Sequence, residues 1–481
     1  MVQGGVLGQD GAPVSGVFVG GWEDERGNLR YLRHDGPEHV LGIGPLRSGK
    51  SLGLVVPTLV TWPHSVITYD EKGELWELTA GWRSVEGGSA VLRFEPAALE
   101  NTVRWNPFAE CRFGSVFEFR DVANVVEALG RPQDSGIEGH FDQTAVAFLA
   151  GLVLHVAYLK RPSGELVCPS DVLWQLNKPG RTIESLLNDM VANAHVNGKR
   201  HAKITEIGQS LLNKDRRERS GVGSTADRML RVFKDPVVAR NTSVSDFKIH
   251  DLMNAERPVS LYIVTRGMDK RRLQPVVRLL LAMTMTRLCS ADMTAVDGEQ
   301  KAPHRRRLLF MVDEFASLGE MDEITEALSK CSGYGIKAYL LVQDREQIID
   351  AYGANENITS HMHIKSAYAP NNAHTADWLE RLIGDQTVVV ENVTESGQRL
   401  GDVSAFSRSL QTIKRPLMTA AEIRQLKTAV KDENGRITTP GNMLILMAGK
   451  PPILGTQTLY FRDPEMMRRV SIPAPRTDKG V

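Results

Sequence analysis

The segment Gly44-Pro45-Leu46-Arg47-Ser48-Gly49-Lys50-Ser51 constrains this chain more than any other. It matches G-x-x-x-x-G-K-[ST] at every fixed position. The apolar run His39–Ile43 precedes it, and Ser51-Leu52-Gly53-Leu54-Val55-Val56 follows as the start of a buried helix. A glycine-rich turn between a strand and a helix lets backbone N–H groups curl around phosphate oxygens at the positive helix end. The whole segment is expected to line a nucleoside triphosphate. Lys50 would neutralise the β- and γ-phosphates, and the Ser51 hydroxyl would ligate Mg2+. Such a turn needs a strand feeding directly into a helix, so the chain must be an α/β protein.

The rest of the chain agrees. Short apolar runs alternate with helical segments, the pattern of a parallel sheet covered on both faces. Expected strands are His39–Ile43, Ser65–Tyr69, Ala90–Phe94, Pro258–Val264, Leu308–Val312, Lys337–Val342 and Met443–Ala448. Leu308–Val312 ends in Asp313-Glu314, which puts two carboxylates in the crevice where such folds hold ligands. Asp313 is expected to complete the Mg2+ shell and Glu314 to orient and deprotonate the attacking water. Lys337–Val342 delivers Gln343 to the same edge, where an amide can contact the γ-phosphate or the lytic water.

At 481 residues the chain exceeds one ordinary core. The expected organisation is a nucleotide-binding domain in two parts, 1–137 and 236–472, around an inserted all-helical domain, 138–235, with a disordered tail at 473–481. The polar segment Glu391–Thr412 reads as a mobile loop.

Lys+Arg and Asp+Glu are both 58, so the net charge is zero. Any nucleic-acid contact must then come from local patches. Cys111, Cys168, Cys289 and Cys331 lack CxxC spacing, which speaks against a disulfide framework or zinc site and suits a reducing cytosol. The most membrane-like stretch, Ala145–Leu159, is short for a span and reads as a buried core helix. No signal peptide or transmembrane segment is expected. His361 and His363 would share a strand face without a third ligand nearby. Lys301–Arg307 is basic, and reads as a solvated strand leader rather than a DNA-facing loop.

Beyond the nucleotide motifs, the chain resembles the TraG-like branch of type IV secretion coupling proteins. The resemblance runs through Tyr31–Val40, Leu54–Leu59, Asp70–Gly81, Arg104–Phe108, Leu211–Lys214, Glu218–Val222, Asp313–Gly319, Gly333–Lys337, Gln343 and Tyr352-Gly353. It implies a RecA-like P-loop ATPase domain carrying an inserted all-alpha domain and assembled as a ring of six. Such a ring would sit on the cytoplasmic face of the bacterial inner membrane, beneath the secretion channel. It would recruit relaxase–DNA complexes or effector proteins, bind DNA (single-stranded, without sequence preference) and use ATP to deliver cargo. Asp70 and Lys72 would be structural or coupling residues beside the nucleotide.

Against the resemblance, no N-terminal membrane anchor is expected in this sequence, Ser51 stands where many relatives carry glycine, and no arginine stands just before the Gln343 strand. Lys330, Ser332 and Lys337 stand there instead. Arg219, Arg266 and Arg278 are the remaining candidates for a cation donated to a neighbouring subunit. Two rivals stay open. A septal DNA translocase would need a DNA-reading tail longer than the residues after Pro451. A nucleotide-gated adaptor would need neither Glu314 nor Gln343.

Overall fold

The computed structural model describes residues 2–3, 15–130, 140–290, 293–296, 299–301, 304–397 and 403–478. Its centre is a 12-stranded sheet. In chain order the strands are β1 Val2–Gln3, β2 Val17–Glu23, β3 Leu29–His34, β4 Val40–Ile43, β5 Ser65–Asp70, β6 Ala90–Phe94 and β7 Val259–Val264. They continue with β8 Leu308–Val312, β9 Ile336–Val342, β10 Ile364–Tyr368, β11 Asn442–Met447 and β12 Ile453–Thr456. The spatial order is β1-β3-β2-β12-β11-β10-β4-β9-β8-β5-β7-β6. From β10 to β6 all neighbours are parallel. From β10 back to β1 they are antiparallel.

The central strands are apolar because both faces are covered. Leu308, Phe310 and Val312 enter one buried cluster, while Leu309 and Met311 enter the other across the sheet. The strand period of two thus divides a continuous apolar run between two cores. The first cluster continues into the helices α1 Glu118–Gly130, α2 His140–Lys160, α3 Pro169–Asn177, α4 Ile183–Ala192, α5 Ala202–Leu212 and α6 Arg216–Met229. Phe148, Leu152 and Val153 of α2 share it with Phe94 and Ile263 of the sheet. The helical segment therefore has no core of its own among the described residues. The expected boundary at 137/138 lies outside those residues. Gln143–Ser163 is long and apolar enough to cross a membrane, but most of its surface is covered by neighbouring elements.

Four expectations change. The segment expected as a mobile loop lies largely in a long hairpin, Asp385–Gly397 with Val403–Pro416. Residues 398–402 are outside the described residues. β-Branched residues, among them Thr387, Val388, Val389, Val390, Val393 and Thr394, favour pairing here, and the ladder satisfies the backbone without a core. The tail, expected to be disordered, docks through residue 478. Asp478 N donates to Val91 O and Asp478 Oδ2 accepts from Val91 N, both at 2.9 Å, while Thr477 Oγ1 accepts from Arg93 N. It caps β6, the open sheet edge; residues 479–481 are outside the described residues. His361 ends a short helix and His363 precedes β10, so they share no strand face. The short element that intervenes is a helix turn, which strand periodicity misses. No metal-binding group of three such side chains occurs among the described residues. Finally, β1, β2, β3, β10 and β12 were not expected from the sequence.

Of the basic run, residues 302–303 are outside the described residues. Arg306 donates to Glu256 O, and Arg307 pairs with Asp35 at 2.7 Å, so both are bound to their own protein surface. All four cysteines are free.

Candidate functional site

The strand ends of β4, β5, β8 and β9 meet at a cavity of about 1310 Å3. The segment after β4 crosses its floor. Gly44 N donates to Val342 O at 3.2 Å, tying the turn to the end of β9. Arg47 and Gly49 have φ of +59° and +91°, the left-handed values that tighten the loop. The chain then enters a helix opening with a wide π turn, Ser51–Val55, and continuing as Val56–Leu59. Pro45 through Ser51 line the cavity. Ser48 Oγ is buried and without a hydrogen-bond partner, an orphaned polar atom in the glycine-rich turn.

Lys50 is buried and turned onto the floor. Its Nζ donates to Gly44 O at 2.6 Å and Val342 O at 3.0 Å, and lies 3.7 Å from Glu314 Oε1. Burial pulls its pKa below the ordinary lysine value, against the opposing pull of Glu314 and Asp313. Ser51 Oγ donates to Asp313 Oδ2 at 2.8 Å. Burial raises the Asp313 pKa, opposed by that hydrogen bond and by Lys50. A hydroxyl and a carboxylate side by side form an all-oxygen donor pair suited to a hard divalent cation.

Glu314 sits at φ 58°, ψ 49°, a left-handed conformation unusual for a side-chain-bearing residue. Non-glycine residues in that region occur where the surroundings over-determine them, as at functional sites. Here the turn lets strand β8 present Asp313 and Glu314 to the same cavity. Glu314 Oε2 accepts from Gln343 Nε2 at 3.0 Å. Gln347 Oε1 accepts in turn from Gln343 N at 2.9 Å. Ser51–Asp313 and Lys50–Glu314–Gln343, drawn from distant parts of the chain, thus form two polar links side by side in one cavity.

Asp70 is spent on structure. Its carboxylate accepts from Gly73 N, Trp76 N and Lys72 N, capping the helix Glu74–Val85, and burial pushes its pKa up to about 6. Lys72 lines the cavity wall. None of the three candidate arginines lines the cavity. Arg219 bonds Leu212 O and Glu184, Arg266 pairs with Glu95, and buried Arg278 braces Leu318 O and Glu320 O. Lys337 lies at the start of β9, away from the cavity.

Several lining residues were missed from the sequence. Glu71 pairs with Lys270 and accepts from Ser317 Oγ at 2.9 Å. Its position one residue past β5 was the available signal. Arg436, Ile437, Tyr460 and Phe461 arrive from the far end of the chain, with no local signal for that placement.

A model of the family described as Type IV secretory system Conjugative DNA transfer matches residues 1–479. The chain is similar to a conjugal transfer protein TraG from Escherichia coli, with 44% identity over 98% of this chain and 74% of that protein. It is also similar to VirD4 of Agrobacterium fabrum, 26% identical over 92% of this chain and 61% of that one. Among solved structures, the conjugative coupling protein TrwBdeltaN70 shares the fold, with TM-score 0.66, 16% identity, and 89% and 87% of the two chains covered. A TrwB structure in complex with ADP and Mg2+ matches with TM-score 0.61 at 16% identity over 88% and 86% of the chains.

Proposed function

The chain belongs to the type IV secretory system conjugative DNA transfer family, the coupling proteins of conjugation, and on that premise we propose that it hydrolyses ATP to drive cargo into the secretion channel. The carrying observation is the Lys50–Glu314–Gln343 link lying beside the Ser51–Asp313 pair at the strand ends. A binding switch has no use for a carboxylate held between a lysine and an amide. A hydrolase does.

In this reading ATP lies in the glycine-rich cradle, and the orphaned Ser48 Oγ gains a phosphate partner. Lys50 leaves the carbonyls of Gly44 and Val342 to neutralise the β- and γ-phosphates. Ser51 and Asp313 would hold Mg2+, which when bound offsets charge on the phosphate oxygens. Glu314 takes the proton of the attacking water. Gln343 moves between Glu314 and the γ-phosphate, and the Val342 carbonyl released by Lys50 links that motion to strand β9. A neighbouring subunit's cation completes the site in a ring of six at the cytoplasmic face of the inner membrane. The helical segment 138–235 selects relaxase–DNA or effector cargo, and single-stranded DNA stimulates turnover. TrwB's published complexes with ADP and Mg2+ and with a non-hydrolysable ATP analogue support the nucleotide class.

ATP turnover with and without single-stranded DNA tests this. Glu314→Gln should bind ATP normally and turn over about 100-fold or more slowly, while Lys50→Ala should lose both binding and turnover. Undiminished turnover in Glu314→Gln would remove the assigned base. Binding without turnover in the wild type, at high protein concentration with DNA, would favour a nucleotide-gated docking platform.

A further inference from the structure

The sheet order divides the cavity into two halves. Beside β4, strands β9 and β8 bring Gln343, Asp313 and Glu314, so the reacting phosphate points to that side. On the opposite flank stand β10, β11 and β12, and the segments next to β11 and β12 form the other wall. A short hairpin, Val430–Lys431 with Ile437–Thr439, precedes β11, and Tyr460-Phe461 follows β12. Arg436, Ile437, Tyr460 and Phe461 all face the cavity, as does Leu46 of the cradle, which is 67% exposed.

We infer that this wall is the base-and-ribose subsite of the nucleotide, with Arg436 as the cation laid against the base. The inference rests on the proposed nucleotide site and extends it to residues outside the recognised motifs.

The wall is built onto the cradle. A Cβ at Gly49 would stand 2.7 Å from Ile437 Cδ1, so the hairpin's Ile437 packs directly on the cradle. Gln457 Nε2 donates to Ser48 O at 3.3 Å, and Gln457 Oε1 accepts from Gly441 N at 3.2 Å, so one amide joins cradle and hairpin base. Thr458 Oγ1 donates to Gly53 O in the first turn of the helix. The wall therefore stands at a set height above the phosphates.

The hairpin turn also leaves Arg436 available. Asp432 Oδ1 accepts from Asn434 N at 3.0 Å and from Arg436 N at 2.8 Å, which uses the nearest carboxylate on backbone. Among the described residues the Arg436 guanidinium has no ion-pair partner. Half-buried Ile437, Tyr460 and Phe461 and exposed Leu46, lining the same cavity as an unpaired guanidinium, suit a planar heteroaromatic ring rather than a phosphate.

Competition binding against a fluorescent ATP analogue separates the two halves, with ATP and inorganic tripolyphosphate as competitors. Arg436→Ala and Phe461→Ala should each weaken ATP about tenfold, while tripolyphosphate competes as in the wild type. Lys50→Ala should weaken both competitors. Wild-type ATP affinity in both wall variants would overturn the subsite. Equal losses for ATP and tripolyphosphate would overturn it too, making the wall a general anion surface. A folded wild type that binds tripolyphosphate but not ATP would refute the nucleotide site itself. An unchanged melting temperature for Arg436→Ala, expected because Arg436 is exposed, excludes misfolding as the cause of its loss.

Discussion

Gly81 shows how one residue can couple distant parts of the chain. It lies in the helix Glu74–Val85, where a Cβ would come within 2.0 Å of Ile472 O and 2.6 Å of Pro473 O. Both obstacles are backbone, so neither can rotate away. Gly81→Ala should therefore destabilise the protein by about 1–3 kcal/mol, measured by denaturant unfolding. Unchanged stability would mean that the C-terminal segment yields freely. Buried Arg83, two residues on, makes the same point with polar atoms. It donates to Leu59 O, Trp62 O and His64 O and to Ser260 Oγ, with no carboxylate among these partners. Neither demand could be heard in the sequence, where Gly81 and Arg83 look like ordinary helix residues.

At the scale of elements, edges decide. The tail at Thr477 and Asp478 occupies the open side of β6 and uses the backbone of Val91 and Arg93. A chain ending at Ile472 should lose about 1–3 kcal/mol and self-associate through the bared edge, visible by light scattering. The long hairpin Asp385–Pro416 is the opposite case. Val389, Val393 and Leu410 are exposed on it, and it adds little to either core. Replacing Gln386–Arg415 with a short turn should shift the melting temperature by no more than about 3 °C. A larger fall in calorimetry would show that the hairpin supports the fold.

Across the whole molecule, buried imidazoles should make stability sensitive to acid. Burial holds His34 and His39 at pKa values of about 4 and His155 at about 3, from an ordinary 6.5. His155 packs against His195, whose ring nitrogen lies 2.8 Å from its own, and against no carboxylate in that contact. The folded state keeps these rings neutral, so between about pH 4 and 6.5 the unfolded chain binds more protons. Stability should then rise with pH through that window and be lost as pH falls. His155→Gln should reduce that slope by about 1.4 kcal/mol per pH unit, read from urea unfolding at several pH values. An unchanged slope would place the acid response elsewhere.

What the sequence determined alone is local. A strand, a glycine-rich turn and a helix must adjoin, so residues 44–51 declare a phosphate cradle within a dozen positions, and Leu308–Val312 declares a strand buried on both faces with Asp313 and Glu314 at its end. The RecA-like expectation followed from family resemblance, and the parallel half of the sheet agrees with it. Tertiary structure alone decided what meets across long separations. It placed Arg436, Ile437 and Tyr460 over a cradle made nearly 400 positions earlier, docked a polar tail on β6, and joined the helical segment to the sheet in one apolar cluster. Periodicity reports which face of an element is buried, but the partner on that face is chosen by the packing of the whole chain.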